Sequence, residues 1–278
     1  MATLSPTVYP DPLIIPPSSG HHKASIIILH GRGSNAAAFA DPLLLLSTTD
    51  HGTLQTAFPD AKLIFPIAPR SLVRRSKKAS MNQWFDFWSL ADPESRPEIQ
   101  VQGLRETVRF LHGLITEESG VVGIGNVVLW GMSQGAAAGL VAMLLWQGEG
   151  IGAFVGMCGW LPLRGEMEGV VMEDELEDGS KKSGLSKVIS RLREMLDLPS
   201  ESDRRESLDV PVFIGHGEDD GTVSVRLARE AASLLERVGV EVECRMYPGL
   251  DHWYSEEMLS DIIGFVKDRV KMREVTSM

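Results

Sequence analysis

NVVLWGMSQGAAAG, residues 126–139, carries the clearest structural signal in the chain. The run Asn126–Trp130 is apolar and β-branched, and it leads through Gly131, Ser133 and Gly135 into an alanine-rich helical pattern. A strand, a sharp turn and a helix are the context in which G-x-S-x-G presents a serine hydroxyl, and the glycines let the flanking segments pass closely. The stretch predicts an α/β fold with an exposed, reactive Ser133; the alternative is an ordinary helix N-cap.

Similar apolar runs alternate with longer helical patterns along the whole chain. The runs are Ser25–His30, Lys62–Ile67, Asn126–Trp130, Ala153–Cys158, Val210–Gly215 and Val240–Tyr247. The helical patterns are Arg96–Thr116, Gln134–Gln147, Ser186–Leu196, Val223–Val238 and Glu256–Met272. The first five runs alternate poorly with polar residues, which is typical of strands buried on both faces. The pattern predicts one α/β domain over residues 1–278, with a mainly parallel central sheet and helices on both faces.

Two segments depart from this alternation. The proline-rich start, about residues 1–24, is predicted to be an extended arm. The run Glu166–Asp178 holds seven acidic residues and no basic one. It lies within about residues 164–208, predicted to be a surface insertion. The composition favours a solvated, partly disordered loop, and a regulatory or partner-binding lid is the alternative.

Composition and charge limit the classes of function. The chain has 278 residues, of which 43% are hydrophobic, and this is ordinary for a globular protein. Its net charge of −11 repels phosphate backbones, so no nucleic-acid partner is expected. Two cysteines cannot form a disulfide framework, which fits a reducing compartment. The sequence shows neither a signal peptide nor an apolar run of about 18 residues, so we expect a cytoplasmic protein without a transmembrane segment.

A reactive serine needs a base and an acid. His252 follows the last predicted strand, where enzymes with this strand–serine–helix turn carry the base. The other six histidines, which lack that placement, are His21, His22, His30, His51, His112 and His216. The acid should follow Val210–Gly215, and spacing alone leaves Glu218, Asp219 and Asp220 open.

An oxyanion that develops during acyl transfer needs two converging N–H groups. In this kind of turn one comes from the residue after the serine, Gln134, and one from the loop after an early strand, where Arg32 is the natural donor. The Arg32 guanidinium is expected to be solvated. The same loop, Gly31–Ala36, reads G-x-G-x-x-A, but the next strand pattern lacks the acid that a dinucleotide site requires.

No metal and no cofactor are predicted. Neither His21–His22 nor His216 with its three nearby acids shows the spacing of metal ligands, and Cys158 at a strand end reads as a packed thiol. A short basic run is predicted to be a solvated loop, with contact to an anionic membrane surface or substrate as the alternative. Its members are Arg70, Arg74, Arg75, Lys77 and Lys78.

Five blocks of the sequence, in order, resemble the acyl-protein thioesterase and phospholipase/carboxylesterase family of α/β hydrolases. They are LHGRGS (Leu29–Ser34), QWFD (Gln83–Asp86), GMSQG (Gly131–Gly135), GWLPL (Gly159–Leu163), and HGEDDGTV (His216–Val223) followed by YPGLDH (Tyr247–His252). Two features depart from the family pattern: Arg-Gly-Ser stands where Leu-Gly-Asp is common after His-Gly, and the acidic segment after GWLPL is longer.

The resemblance implies a role for individual residues. Ser133 is the nucleophile, His252 the base and Asp220 the acid, with Asp219 as the fallback, and Arg32 and Gln134 supply the oxyanion N–H groups. Trp84, Trp160 and Leu161 are the implied substrate-binding residues.

The reaction implied is hydrolysis of carboxylic esters or thioesters through an acyl-enzyme, with S-acylated proteins among the substrates. A general small-molecule carboxylesterase or lysophospholipase is one alternative. A non-catalytic interaction protein with the hydrolase fold is another.

Overall fold

The computed structural model describes residues 7–75, 80–177, 181–199 and 208–270. In these residues the strands are β1 (Leu13–Ile15), β2 (Ala24–Leu29), β3 (Ser47–Thr48), β4 (Gly52–Thr53), β5 (Ala61–Phe65), β6 (Arg70–Leu72), β7 (Ser80–Asn82), β8 (Val127–Met132), β9 (Ala153–Met157), β10 (Val212–Gly217) and β11 (Val242–Tyr247). The α-helices are α1 (Ala36–Leu45), α2 (Leu54–Ala57), α3 (Glu98–Val122), α4 (Gln134–Leu144), α5 (Arg164–Glu177), α6 (Lys181–Met195), α7 (Val225–Arg237) and α8 (Glu256–Arg269).

The central sheet has the strand order β1-β5-β2-β8-β9-β10-β11. The edge strand β1 is antiparallel to β5, and every other neighbouring pair is parallel. The register aligns Leu29 with Gly131 and Gly131 with Gly156, so the carboxyl ends of the central strands meet at one edge. In such sheets ligands bind at that edge. The predicted mainly parallel α/β architecture is confirmed, and each of the six predicted runs overlaps a strand of this sheet.

Successive residues of a strand point to opposite faces of the sheet, and this alternation produces two hydrophobic cores. Ile27 and Leu29 belong to the core covered by α3 to α7, whereas Ile26 and Ile28 belong to the core covered by α1, α2 and α8. Both faces of β2 are therefore buried, which explains its continuous apolar sequence.

The acidic segment is helical where a loop was expected. Its apolar residues Met167 and Val171 are spaced by one helical turn and pack into the first core, as do Leu185 and Leu192 of α6. The apolar residues recur at helical spacing between the charged ones, so they lie on one face of the helix. Counting only the net charge of the segment hides this periodicity. Residues 178–180 and 200–207 of the predicted insertion lie outside the described residues.

The predicted arm and the basic run contain short strands. In the arm, β1 pairs with β5 and extends the central sheet, while residues 1–6 lie outside the description. In the basic run, Arg70–Leu72 pairs with Ser80–Asn82 in a small antiparallel sheet. Lys77 and Lys78 of that run lie outside the described residues. Nowhere in the described part of the chain does a helix combine the length and the apolar character required to cross a bilayer.

Candidate active site

Ser133 stands in a strained turn between β8 and α4. Its φ of 56° and ψ of −118° are unusual for a residue with a side chain, and such strain is found mainly where function requires it. The flanking glycines have no room for a Cβ. One built at Gly135 would lie 2.6 Å from the Leu29 carbonyl oxygen, and one at Gly131 would clash with the Ala136 nitrogen. The G-x-S-x-G pattern thus follows from close packing around this turn.

The structure brings the three predicted triad side chains into contact. His252 Nε2 lies 3.0 Å from Ser133 Oγ, and His252 Nδ1 lies 2.7 Å from Asp220 Oδ2. Asp251 links the loops that carry the histidine and the aspartate, because its Oδ1 accepts the N–H groups of His252 and Gly221 at 2.7 Å and 3.0 Å.

This geometry assigns the ring proton of a neutral His252. A carboxylate can only accept, so Nδ1 carries the proton toward Asp220 and Nε2 presents its lone pair to Ser133 Oγ. An imidazole in this tautomer can take a proton from the hydroxyl while the carboxylate stabilises the resulting charge. The arrangement can therefore activate a serine for attack on a carbonyl.

Asp220 is the one carboxylate of the three candidates that contacts His252 within the described structure. Its Oδ1 also accepts the N–H groups of Thr222 and Val223, each at 2.8 Å. Burial opposes its charge, but hydrogen bonds from His216, His252 and Val223, together with the charge of His252, hold the pKa of this carboxyl well below its usual range. Glu218 and Asp219 are exposed in the same loop, and Glu218 pairs with Arg229 at 3.0 Å.

His216 contacts Asp220, the predicted acid, and the sequence analysis did not anticipate this contact. It is fully buried near the end of β10, and its Nε2 lies 3.0 Å from Asp220 Oδ2 and 2.9 Å from the Val223 carbonyl oxygen. Both neighbours are acceptors, so Nε2 carries a proton and donates. The four-residue spacing of His216 and Asp220 across a strand end was the available signal. It carries little weight without the fold.

The two predicted oxyanion donors lie at the wall of one cavity with Ser133. Gln134 is the first residue of α4, so its N–H has no acceptor within its own helix. The carbonyl of Gly31 accepts bonds from His30 Nδ1 at 2.7 Å and from the Ser34 N–H at 3.3 Å. Because the C=O and N–H of a trans peptide point in opposite directions, these bonds turn the Arg32 N–H the other way.

His30 can hold this peptide because its tautomer is fixed. The Ala68 N–H donates to His30 Nε2 at 3.1 Å, so the ring proton of the neutral imidazole lies on Nδ1 and is donated to the Gly31 carbonyl. Burial lowers the pKa of His30, and its bond to the Gly31 carbonyl only partly opposes this, so the neutral form is favoured.

The Arg32 guanidinium is bound to protein rather than solvated as expected. Its Nε donates to Gln83 Oε1 at 2.9 Å, one terminal nitrogen lies 3.3 Å from Asp86 Oδ1, and its carbon lies 4.2 Å above the centre of the Phe87 ring. The sequence places these partners more than 50 residues from Arg32, which is why a local reading missed them.

A cavity of about 430 Å³ opens at Ser133 and is mostly apolar. Its wall includes Phe39, Val73, Phe87, Trp88, Leu90, Met132, Trp160 and Trp253, with Arg32, Arg75, Thr222 and His252 among its polar members. Trp160, one of the implied substrate-binding residues, is part of this wall. Trp84 and Leu161 are not part of this wall, because both are packed into the first core and Trp84 Nε1 donates to the His30 carbonyl at 2.8 Å.

One group of side chains in the described residues has the composition of a metal site. Ligand atoms of Cys158, Asp220 and His252 lie within 4.8 Å of one another. The carboxylate and imidazole are bonded to each other, and Cys158 Sγ lies 3.3 Å from the Trp253 carbonyl oxygen. Burial, followed by the negative charge of Asp220, raises the pKa of the Cys158 thiol to about 12, which disfavours the thiolate that a metal would need.

The sequence of this chain is similar to a family model and to the sequences of known proteins. Residues 10–174 and 192–269 match the family model described as Phospholipase/Carboxylesterase. Acyl-protein thioesterase 1 of Gibberella zeae is 26% identical over 93% of this chain and 95% of its own length. A probable carboxylesterase, SOBER1-like, of Arabidopsis thaliana is 28% identical over 91% of this chain and 81% of its own length.

The fold is shared with solved structures as well. Acyl-protein thioesterase 2 of Zea mays superposes with a TM-score of 0.69 and 21% identity, covering 94% of this chain and all of that one (100%). The family model covers most of the chain, including the turn at Ser133 and the loops that carry Asp220 and His252. The chain therefore belongs to the phospholipase/carboxylesterase family of α/β hydrolases.

Proposed function

We propose that this protein is a serine hydrolase that cleaves carboxylic esters or thioesters through an acyl-enzyme. The observation that carries the proposal is the contact of 3.0 Å between Ser133 Oγ and His252 Nε2, with Asp220 behind the imidazole at 2.7 Å. The strained turn at Ser133 gives independent support, since it presents the hydroxyl at the edge of the sheet where ligands bind.

In the acylation step Ser133 Oγ attacks the carbonyl carbon while His252 Nε2 takes the hydroxyl proton. The carbonyl oxygen becomes an oxyanion, which the N–H groups of Arg32 and Gln134 stabilise. Collapse of this intermediate breaks the bond to the alcohol or thiol. The leaving group receives the proton from His252, and the acyl group remains on Ser133.

Deacylation repeats the step with water as the nucleophile. His252 takes a proton from water, and the resulting hydroxide attacks the acyl carbon and forms a second oxyanion. Collapse releases the carboxylic acid and returns the proton to Ser133 Oγ. Asp220 stays ionised throughout, because its partners stabilise the carboxylate far more than the acid.

The mostly apolar cavity beside Ser133 supports an acyl chain as the group that the enzyme holds. We propose acyl thioesters on proteins as the preferred substrates, as the names of several relatives suggest. A small-molecule carboxylesterase is the second candidate, since other relatives carry that name.

Cytoplasmic location is also part of the proposal. It is supported by the two free thiols, Cys158 and Cys244, and is tested by fractionating cells that produce a tagged chain.

The decisive experiment compares Ser133→Ala with the wild type on p-nitrophenyl esters and with a fluorophosphonate probe. We expect a loss of about 10⁴-fold or more in kcat and no labelling, because the hydroxyl that forms the acyl bond is gone. Ser260→Ala, at a half-buried serine of α8 whose hydroxyl donates to Asp50, is the matched control and should retain both. Wild-type turnover by Ser133→Ala would refute the proposal.

A second comparison separates the two substrate classes. The wild-type enzyme is assayed on p-nitrophenyl esters of increasing chain length and on S-acylated peptides. Preference for the peptide thioesters supports the thioesterase, and hydrolysis of the small esters alone supports the carboxylesterase. A folded protein that neither labels nor hydrolyses would favour the non-catalytic alternative.

A further inference from the structure

The side chain of Gln134 makes two hydrogen bonds to the backbone of a distant segment. Its Oε1 accepts the Trp84 N–H at 3.0 Å, and its Nε2 donates to the Phe85 carbonyl at 2.6 Å. The side chain is fully buried, so both bonds form away from water, where leaving either group unpaired is costly. The residue whose N–H is proposed to bind the oxyanion is therefore tied to the segment Gln83–Asp86.

The same segment holds the other proposed donor. Gln83 Oε1 and Asp86 Oδ1 contact the guanidinium of Arg32 at 2.9 Å and 3.3 Å. Trp84 Nε1 donates to the carbonyl of His30 at 2.8 Å, and His30 in turn fixes the Gly31–Arg32 peptide. Gln83–Asp86 thus contacts the β2 loop and the α4 N-terminus at once.

This segment is itself firmly seated. Thr107 Oγ1 on α3 donates to the Trp84 carbonyl at 2.6 Å. A Cβ at Gly103 would lie 2.6 Å from Phe85 Cα, so α3 presses directly against the backbone there. Gln83 Nε2 donates to Ser71 Oγ of β6 at 2.8 Å. The segment is thus held by partners on both α3 and β6.

We propose that Gln83–Asp86 is a brace that sets the separation and direction of the Arg32 and Gln134 N–H groups, with the Gln134 side chain as a positioning residue. This inference rests on the proposed function, since it assigns a purpose to the oxyanion donors. An oxyanion hole must be arranged before the reaction, because donors that reorganise during the step lose most of their benefit.

The test uses Gln134→Met, which keeps the backbone N–H and the side-chain length but loses both bonds to the brace. We expect kcat on p-nitrophenyl esters to fall about 10- to 100-fold, as expected for a misplaced rather than absent donor. KM should stay within about threefold of the wild-type value, because the hydrogen bond from the Gln134 N–H to the substrate oxygen becomes strong only in the transition state. The pH midpoint of kcat should not move, since His252 and Asp220 are untouched.

A trifluoromethyl ketone supplies a second readout. Ser133 Oγ adds to its carbonyl carbon while His252 Nε2 takes the hydroxyl proton, and the carbonyl oxygen becomes an oxyanion facing the N–H groups of Arg32 and Gln134. Its inhibition constant should rise for Gln134→Met by about the factor lost in kcat. The matched control is Gln100→Met, another fully buried glutamine, whose Nε2 donates to the Pro93 carbonyl at 2.6 Å. It should lose stability but keep kcat within about twofold.

Arg32→Met is the second variant, and it decides the question alone if Gln134→Met does not fold. It keeps its N–H and loses the links to Gln83 and Asp86, so we expect kcat and ketone affinity to fall about tenfold together. The brace is refuted if folded variants keep kcat and ketone affinity within about threefold, or if Gln100→Met loses kcat equally. Ester hydrolysis that survives Ser133→Ala would instead refute the proposed function.

Discussion

The buried His216 places its Nε2 3.0 Å from Asp220 Oδ2, and the single proton on Nε2 is shared with the Val223 carbonyl oxygen at 2.9 Å. Asp220 Oδ2 also accepts from His252 Nδ1, so one carboxylate oxygen lies against two histidines. Only His252 reaches Ser133. His216 therefore contacts the proposed acid and not the proposed nucleophile, so its contribution can be measured separately from that of the proposed base.

Replacing His216 with Phe should weaken the enzyme without abolishing it. The Asp220 carboxylate loses a donor, so its pKa rises and the free energy of unfolding near pH 7 falls by about 1.5–3 kcal/mol. We expect kcat/KM to fall about tenfold, with a larger loss at acidic pH. Denaturant unfolding and a pH–rate profile measure both effects. His112→Phe, at a half-buried histidine on α3, is the control and should leave the pH profile unchanged.

Replacing Asp220 with Asn should change how stability depends on pH. The pKa of Asp220 is depressed in the folded state relative to about 3.9 in an unfolded chain. Its charge thus stabilises the fold above that pH, and the contribution is lost as the pH falls through the folded-state value. The difference in unfolding free energy between wild type and Asp220→Asn should be largest near neutrality and shrink below about pH 4.

The same variant should lose about 10⁴-fold in kcat, because an amide no longer favours the Nδ1–H tautomer of His252. A constant stability difference from pH 7 to pH 2 would contradict the charge assignment. Undiminished turnover would contradict the role of the acid.

Cys158 should be dispensable although it lies beside the candidate triad. Burial holds its thiol protonated with a pKa of about 12, so it is a poor nucleophile at neutral pH. We expect Cys158→Ala to retain kcat/KM within about threefold. In the wild type, N-ethylmaleimide should modify the exposed Cys244 first, as read by peptide mass spectrometry. If Cys158→Ala instead loses as much kcat/KM as Ser133→Ala, the Cys158 thiol takes part in the reaction.

The α5–α6 region should behave as part of the core. Leu192 is fully buried on α6, and Leu192→Ala should lower the free energy of unfolding by about 2–5 kcal/mol. Met172 on α5 is 59% exposed, and Met172→Ala should change it by less than about 0.5 kcal/mol. Urea titrations compare them directly. Equal, small effects would mean that these helices do not pack as described.

Much of the site could be anticipated because it follows local rules. The turn around Ser133 is formed by residues that are adjacent in the sequence, and chain order alone singled out His252 among seven histidines. Asp220 needed the family resemblance, since three adjacent carboxylates have equivalent spacing. Net charge misled the interpretation of residues 164–177, because an amphipathic helix can carry its charges on the solvent face.

The remaining features depend on contacts between distant segments. The guanidinium of Arg32 meets Gln83 and Asp86, and the side chain of Gln134 meets Trp84, about 50 residues away in each case. No periodicity or spacing rule relates such positions. The position of Trp84 could not be predicted either: it lies outside the cavity wall at Ser133, and its indole N–H donates to the carbonyl of His30.

The three proposed triad residues each follow a different strand: Ser133 follows β8, Asp220 follows β10 and His252 follows β11. The ribosome synthesises these strands at different times, so the residues can meet only after the last strand has been made. On the proposed mechanism, a nascent chain that has not reached residue 252 exposes a serine with no base. A chain whose β11 has not yet docked is equally inert. On that mechanism hydrolytic activity requires β11 to be in register, so turnover would report completed folding of the sheet.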